Sequence, residues 1–465
     1  MKAKHLALSS IMLSCALSMG AQNIPSHDKY VTWLDKNPNW IEVVREDTNV
    51  VFSKYFLDWE PGTQLSEDEN FFISRVRMHD RFVNTATQVD PEMTQDRKFS
   101  LCTPMGISDT YWQQLPRYVA DGDNFSMWSY LDSYCGWSLS WIRVPGAFGD
   151  VAHKNGVPNG CTLFIDSWGS DNTEAGKIFA MLATRGSNEL GGQYAYSVKL
   201  LKFMKYYGVD GLCINPEATV AHADDIQNFF AECFELAPQL DWHFHVYWYG
   251  TSTNSGSMDL GSDLNSGKTD WFMKDGKQVT DVYFLNYNWG NTLSSSASTA
   301  KSVGGDSYDV YAGFDIQARW MRSAVGASYW MTLAENPVSI IFWGNHTTDM
   351  IYQNSTEDGS SDEAVQLCYL RKQEQVFSGG NRNPAITPDI SAPASSADAA
   401  MKDFHGIAKF VTARSTLNDL PFVTRFGLGN GLCFREDGVV TFNQKWYNVG
   451  VQDFLPTWRW WITDA

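Results

Sequence analysis

The chain holds 465 residues, 43% hydrophobic and 19% charged, with 53 Asp and Glu against 35 Lys and Arg for a formal net charge of -18. This composition excludes a disordered chain, and the charge argues against a nucleic-acid partner, since a phosphate backbone would be repelled over most of the surface. Aromatic residues make up 14% and include 19 Trp, more than core packing demands, which points to flat rings offered to a ligand.

Met1 to Ala21 has two lysines, a short apolar run and small residues before Gln22. That is the pattern of a secretory signal cut after Ala21, and it predicts a secreted, periplasmic or cell-surface protein. Lipid attachment at Cys15 is disfavoured, because Met12-Leu13-Ser14 makes a poor lipobox. No later stretch offers about 18 uncharged apolar residues, so no membrane span is expected. The seven remaining cysteines form no CxxC pair. They read as mostly buried thiols with room for one or two disulfides, and no cysteine-based zinc site is expected.

At roughly 100 to 200 residues per domain, the length allows two or three domains, or one large barrel with an appendage. From about Ser129 to Trp343, apolar strand-like runs alternate with amphipathic stretches. The clearest strands are Cys161–Asp166, Val209–Glu217, His243–Tyr249, Val282–Tyr287, Asp309–Phe314 and Val338–Trp343. Between them, Tyr194–Tyr207 and Asp224–Leu236 read as helices. In the second, Ile226, Phe229, Phe230, Cys233 and Phe234 share one helical face. Repeated βα units with apolar strands imply a parallel sheet, and at least six of them favour an α/β fold of the closed (β/α)8 TIM-barrel kind. No GxGxxG or Walker loop supports a nucleotide site, and no cofactor is expected. Residues 22–382 are assigned to the barrel with an N-terminal extension. Residues 383–400, rich in Pro, Ala and Ser, read as a linker. Residues 401–465 read as a β-rich segment, with Asp437-Gly438 as a hairpin turn, and as the possible beginning of a β-sandwich.

In such a barrel, catalytic groups lie at the carboxyl ends of the strands. Two ends are chemically loaded. In Val209–Glu217, period-two alternation points Cys213, Asn215 and Glu217 the same way, so an amide and a carboxylate project into one pocket. The bland reading is that Glu217 caps the next helix and Asn215 satisfies backbone groups. In His243–Tyr249, alternation puts His243, His245, Tyr247 and Tyr249 on one face. A His-x-His pair could bind metal only with further ligands. With 9 His and no HExxH, a pocket lined by hydrogen-bonding aromatics is the better reading and no metal is expected.

These motifs resemble glycoside hydrolase family 85, the endo-β-N-acetylglucosaminidases that cut the chitobiose core of N-glycans. The resemblance runs from about Trp128 to Trp458. Its strongest element is Tyr206-Tyr207-Gly208-Val209-Asp210-Gly211 leading into Asn215-Pro216-Glu217, similar to the family's aromatic-Gly-Phe-Asp-Gly run before Asn-x-Glu. Supporting pieces, in order, are Trp128–Asp132, Ala152–Val157, Trp248-Tyr249, Leu285–Tyr287, Tyr311–Asp315, Leu420–Phe426 and Gln452–Thr457.

The resemblance implies retaining, substrate-assisted hydrolysis of N-glycans on glycoproteins or glycopeptides, in which the 2-acetamido oxygen of the sugar replaces a second carboxylate. Glu217 would be the general acid and then the general base, with a raised pKa suiting both roles. Asn215 would orient the acetamido group, and Tyr249 would close around it. Asn286 and Asp315, at later strand ends, would contact sugar. His245, Trp248, Trp289, Asp132 and Trp168 are further candidate sugar contacts. The chain departs from the family at Gly250-Thr251, at Leu260-Gly261-Ser262 and at Gln317–Trp320, which bears on glycan preference more than on reaction type. Two alternatives stay open: a chitinase-like hydrolase, and a secreted glycan-binding protein without catalysis.

Overall fold

The computed structural model describes residues 52–65, 69–103, 125–137, 141–142, 144–165, 173–315, 327–344, 370–371, 373–383, 404–417, 420–431, 433–443 and 446–455. The signal-like segment, residues 384–400 of the linker and Trp168 lie outside them.

Eight parallel strands close into a barrel in sequence order: β1 (Phe99–Thr103), β2 (Ser133–Trp137), β3 (Asn159–Ile165), β4 (Gly211–Pro216), β5 (His245–Tyr249), β6 (Val282–Leu285), β7 (Val310–Asp315) and β8 (Ser339–Trp343). The barrel expected from the βα pattern is therefore present. Strands β1 and β2 escaped the sequence reading for a physical reason. Phe-Ser-Leu-Cys-Thr and Ser-Tyr-Cys-Gly-Trp are not continuous apolar runs. Their inward positions carry small groups such as Ser100, Cys102, Ser133 and Cys135, and among the residues whose side chains are described, Phe99, Leu101 and Tyr134 join the outer core.

Around the barrel, α1 (Phe52–Asp58), α2 (Gly146–Lys154), α3 (Glu174–Leu182), α4 (Ser197–Tyr207), α5 (Ala223–Leu236), α6 (Leu293–Ser302) and α7 (Ala327–Glu335) form the outer layer. The predicted face of α5 is the buried one. Ile226, Phe229, Phe230 and Cys233 share a continuous core with Leu212 and Ile214 of β4, and Phe234 packs at its margin. Helix α4 stops where the chain must reverse into β4. Gly208 takes a left-handed conformation with φ of 71°, and a Cβ there would also lie 2.6 Å from the Ser74 side chain.

Inside the barrel, Cys102, Cys135, Cys213, Tyr247, Val282, Phe284, Tyr311 and Ile341 form a separate buried cluster. The Tyr247 ring leans across toward β4 and β3, where Gly211 and Gly160 leave it room. A Cβ on Gly211 would sit 2.3 Å from Tyr247 Cε2. The glycine at 211 is thus required by packing within the barrel.

The amino ends of the strands are clasped by buried charge. His153 Nε2 lies 2.7 Å from Asp210 Oδ2, which also accepts the Asn159 N–H at 2.8 Å. Arg81 and Arg414 both pair with Asp132, and Lys98 pairs with Asp309 at 2.5 Å. At the carboxyl end of β5 the chain forms a long loop with a short antiparallel pair, Met273–Lys274 against Lys277–Gln278. Lys268, fully buried, donates to the carbonyls of Gly250, Asp259 and Gly261 and so draws the loop onto the barrel.

Toward the C-terminus, Phe404 and Phe410 bury against Trp330 of α7. The Asp437-Gly438 turn, with φ of 48° and 82°, joins Phe434–Glu436 to Val439–Phe442 as the sequence signal predicts. Gln452 accepts from Trp128 Nε1 at 2.8 Å and donates to the Phe125 carbonyl at 3.0 Å, fastening this segment to the barrel.

Candidate active site

The carboxyl end of β4 carries the amide and the carboxylate to the barrel mouth. Asn215 is half-buried and Glu217 is exposed just beyond it. The Asn215 Nδ2 donates to Glu217 Oε1 at 3.1 Å. Asn215 Oδ1 is buried and has no hydrogen-bond partner, so an acceptor is held ready in a place where leaving it unpaired costs free energy. Pro216 between them lacks an N–H, and its carbonyl accepts from the Thr251 hydroxyl at 2.7 Å. Thr251 is one of the departures from the family pattern, and here it ties the end of β5 to the turn that aims Glu217.

Tyr249, the last residue of β5, is half-buried on the inward face. Its ring lies 5.0 Å from Phe284 and 6.2 Å from Tyr287. Tyr249, Tyr287 and Trp343 roof the interior cluster. Burial, and then the nearby Tyr249, Asp315 and Glu217, push the Tyr287 phenol well above its usual range. The mouth so gathers Asn215, Glu217, Tyr249, Tyr287, Asp315 and Trp343: one amide, two carboxylates and three aromatic rings. That combination suits a neutral polyhydroxylated ligand bearing an amide. A separate cavity of ≈ 350 Å³, lined by Arg185, Tyr194, Asn228 and Glu232, lies on the outer helices and shares no residue with the mouth.

Of the expected site residues, Asn215, Glu217, Tyr249 and Asp315 meet at this end. Asn286 is also there, but its amide donates to the Leu260 carbonyl at 2.8 Å and its Oδ1 accepts the Tyr287 N–H at 2.7 Å. It holds two loops together.

Four expected sugar contacts are corrected. His245 begins β5 at the opposite end of the barrel, where Nδ1 is 2.5 Å from Asp281 Oδ2. Asp132 precedes β2 at that same end, bound to Arg81, Arg414 and the Phe99 N–H. Trp248 points out of the barrel, fully buried and stacked on Trp271 at 3.9 Å. Trp289 is fully buried, with Nε1 donating to the Gly313 carbonyl at 2.7 Å. Trp168 lies outside the described residues. Two mouth residues went unassigned in the sequence reading, Tyr287 and Trp343. For Trp343 a signal existed, since alternation on β8 sets it on the inward face with Ile341.

The glycosyl hydrolase family 85 model matches residues 109–434. The chain is similar to a cytosolic endo-beta-N-acetylglucosaminidase of Gallus gallus, 28% identical over 354 residues, which are 73% of this chain and 40% of that protein. It is 23% identical over 345 residues to the Homo sapiens protein of the same name, covering 71% of this chain and 38% of that one. The chain therefore spans well under half the length of these curated relatives. Among solved structures, the glycoside hydrolase domain of Endo-D from Streptococcus pneumoniae R6 shares the fold, with a TM-score of 0.67 and 23% identity over 87% of this chain and 60% of that one.

Proposed function

The chain belongs to glycosyl hydrolase family 85, and from that premise we propose that it is an endo-β-N-acetylglucosaminidase, hydrolysing the β-1,4 bond between the two core N-acetylglucosamines of N-glycans with retention. The observation that carries this reading is the Asn215–Glu217 pair at the end of β4, with Asn215 Oδ1 buried and unpaired. The substrate's acetamido N–H would supply the missing donor to Oδ1. Accepting that proton's hydrogen bond draws electron density toward the acetamido oxygen, which then attacks the anomeric carbon. Glu217 gives its proton to the leaving oxygen. The resulting oxazoline-type intermediate is opened by water, whose proton returns to Glu217. Tyr249, Tyr287 and Trp343 would enclose the reacting sugar, and Asp315 would accept from its hydroxyls.

The test is incubation with a high-mannose glycopeptide followed by mass measurement. Release that leaves one N-acetylglucosamine on the peptide supports the reading. Cleavage of chitin oligomers alone would favour a chitinase-like hydrolase, and binding without cleavage would favour a non-catalytic glycan-binding protein.

Export of the mature chain is part of the same proposal, supported by the basic, apolar and small-residue order of Met1 to Ala21. The curated relatives are named cytosolic, so fractionation of the native host decides between the two addresses. The division into a barrel over 22–382, a linker over 383–400 and a β-rich segment over 401–465 is likewise proposed. Limited proteolysis, with cuts concentrated in 383–400, would test it.

A further inference from the structure

Strands β1 to β4 each send one small polar or sulfur-bearing side chain to a single interior layer: Cys102, Cys135, Thr162 and Cys213. The strand registers set them there, with Cys102 opposite Cys135 and Thr162 opposite Cys213. The three Sγ atoms all lie within 4.8 Å of one another, and Cys102 and Cys213 are 4.0 Å apart. The Thr162 hydroxyl is 2.8 Å from Cys135 Sγ and 3.7 Å from Cys102 Sγ. The thiols are at most 4% exposed. The facing wall is apolar and aromatic, as barrel interiors are when packing alone decides. The three sulfurs converge on one point of this layer, a geometry that filling the barrel interior does not by itself require.

We propose that Cys102, Cys135 and Cys213 form a binding site for one thiophilic ion of the zinc class, in the barrel interior directly beneath the Asn215 amide. Zinc–sulfur bonds of about 2.3 Å set sulfurs about 4.0 Å apart in a trigonal site and about 3.8 Å apart in a tetrahedral one. The Cys102–Cys213 separation of 4.0 Å already meets the trigonal value, and the widest separation exceeds that value by less than 1 Å. Soft thiolate donors select zinc, cadmium or cuprous copper over harder ions. The Thr162 hydroxyl serves as a fourth, neutral oxygen ligand or as a hydrogen-bond donor to a thiolate. Each thiol that coordinates gives its proton to water, so up to three protons leave as one divalent ion enters, and affinity rises with pH. The bound ion would brace β4 from below, two residues before Asn215.

The test uses the full chain, kept reduced, freed of small molecules and titrated with cadmium while the ultraviolet thiolate-to-metal charge-transfer band is followed. One equivalent per chain is expected, with the band lost in Cys102→Ser and Cys213→Ser. It should be retained in Cys233→Ser, a buried thiol of α5 in the outer core. Zinc content of the purified wild-type chain should approach one equivalent after zinc is supplied and excess removed. Absence of the band in the folded wild type, or its persistence in the Cys102 and Cys213 variants, overturns the proposal. If those variants fail to fold, the wild-type titration decides alone. Glycan hydrolysis enters none of these readouts.

Discussion

The Asn215 amide nitrogen stands 3.1 Å from Glu217 Oε1, while the amide oxygen on the other side of the same group is buried and unpaired. One side chain thus faces two ways. Its donor restrains the Glu217 carboxylate, and its acceptor has no hydrogen-bond partner within the protein. Pro216 between them cannot donate to the barrel ladder, and the Thr251 hydroxyl holds its carbonyl. The orientation of both groups is therefore fixed by backbone that the barrel already pays for.

If Glu217 moves the proton in both steps, Glu217→Gln should lower kcat on a high-mannose glycopeptide by about 10²- to 10⁴-fold, the range for removing a general acid–base group. Because Glu217 is exposed, stability should change by no more than about 0.5 kcal/mol. Initial rates and a thermal melt on one preparation check both halves. Near-wild-type turnover would sink the assignment.

Asn215→Ala should separate formation of the intermediate from its use. Without the acceptor for the acetamido N–H, hydrolysis of the intact glycopeptide should fall by about 10²-fold or more, the scale of losing one preorganised hydrogen-bonding group. Transfer or hydrolysis from a preformed sugar oxazoline bypasses that step and should fall far less. Equal losses on both substrates would mean that Asn215 only supports the fold of the mouth.

The barrel and the β4 end were legible because their signals are local. Apolar runs alternate with helical periodicity, and period-two alternation fixes which way Asn215 and Glu217 point. What was not legible depends on which end of a strand a residue occupies and on which strands become neighbours. His245 and Tyr249 share one face of β5, yet the strand's length carries them to opposite ends of the barrel, and only one reaches the mouth. Trp248 reads like a sugar platform in sequence, but its place between the inward-facing Tyr247 and Tyr249 turns it outward onto Trp271. The three converging thiols are 33 and 78 residues apart along the chain, so no spacing motif could announce them.

The burial of Trp248 against Trp271 has a measurable consequence. The Trp248 ring stacks on Trp271 at 3.9 Å with an interplanar angle of 6°, and both are fully buried. Trp248→Ala should therefore cost about 3 to 5 kcal/mol of stability and leave KM unchanged in the molecules that remain folded. Trp343→Ala, at the half-buried mouth, should do the reverse, raising KM severalfold with a smaller stability cost. Denaturant titration beside kinetics at low temperature distinguishes them, and a raised KM for Trp248→Ala with unaltered stability would restore it as a sugar contact.

The clasp at the amino end of the barrel makes stability depend on pH in a defined direction. Burial alone would lower the pKa of His153, but the hydrogen bond and charge of Asp210 outweigh it and raise the pKa above 6.5. His245 behaves alike, with Asp281 overcoming its burial. A base whose folded pKa lies above its unfolded value of about 6.5 contributes stability that is complete below that pH and is lost as pH rises through the folded value. Asp309, pushed up to about 6 chiefly by burial, also favours the protonated fold. Its slope is gone by about pH 7, and His405, pushed down to about 3 by burial, opposes the fall only until its unfolded value of about 6.5 is passed. Stability should therefore fall as the pH rises above about 6.5, by up to about 1.4 kcal/mol per pH unit for each histidine titrating. Asp210→Ala removes the group that raises His153 and strands the Asn159 N–H, so it should cost about 3 kcal/mol at pH 6 and flatten the slope. A wild-type midpoint that does not change over this window, or an Asp210→Ala variant with the wild-type slope, would show that the clasp is not what titrates.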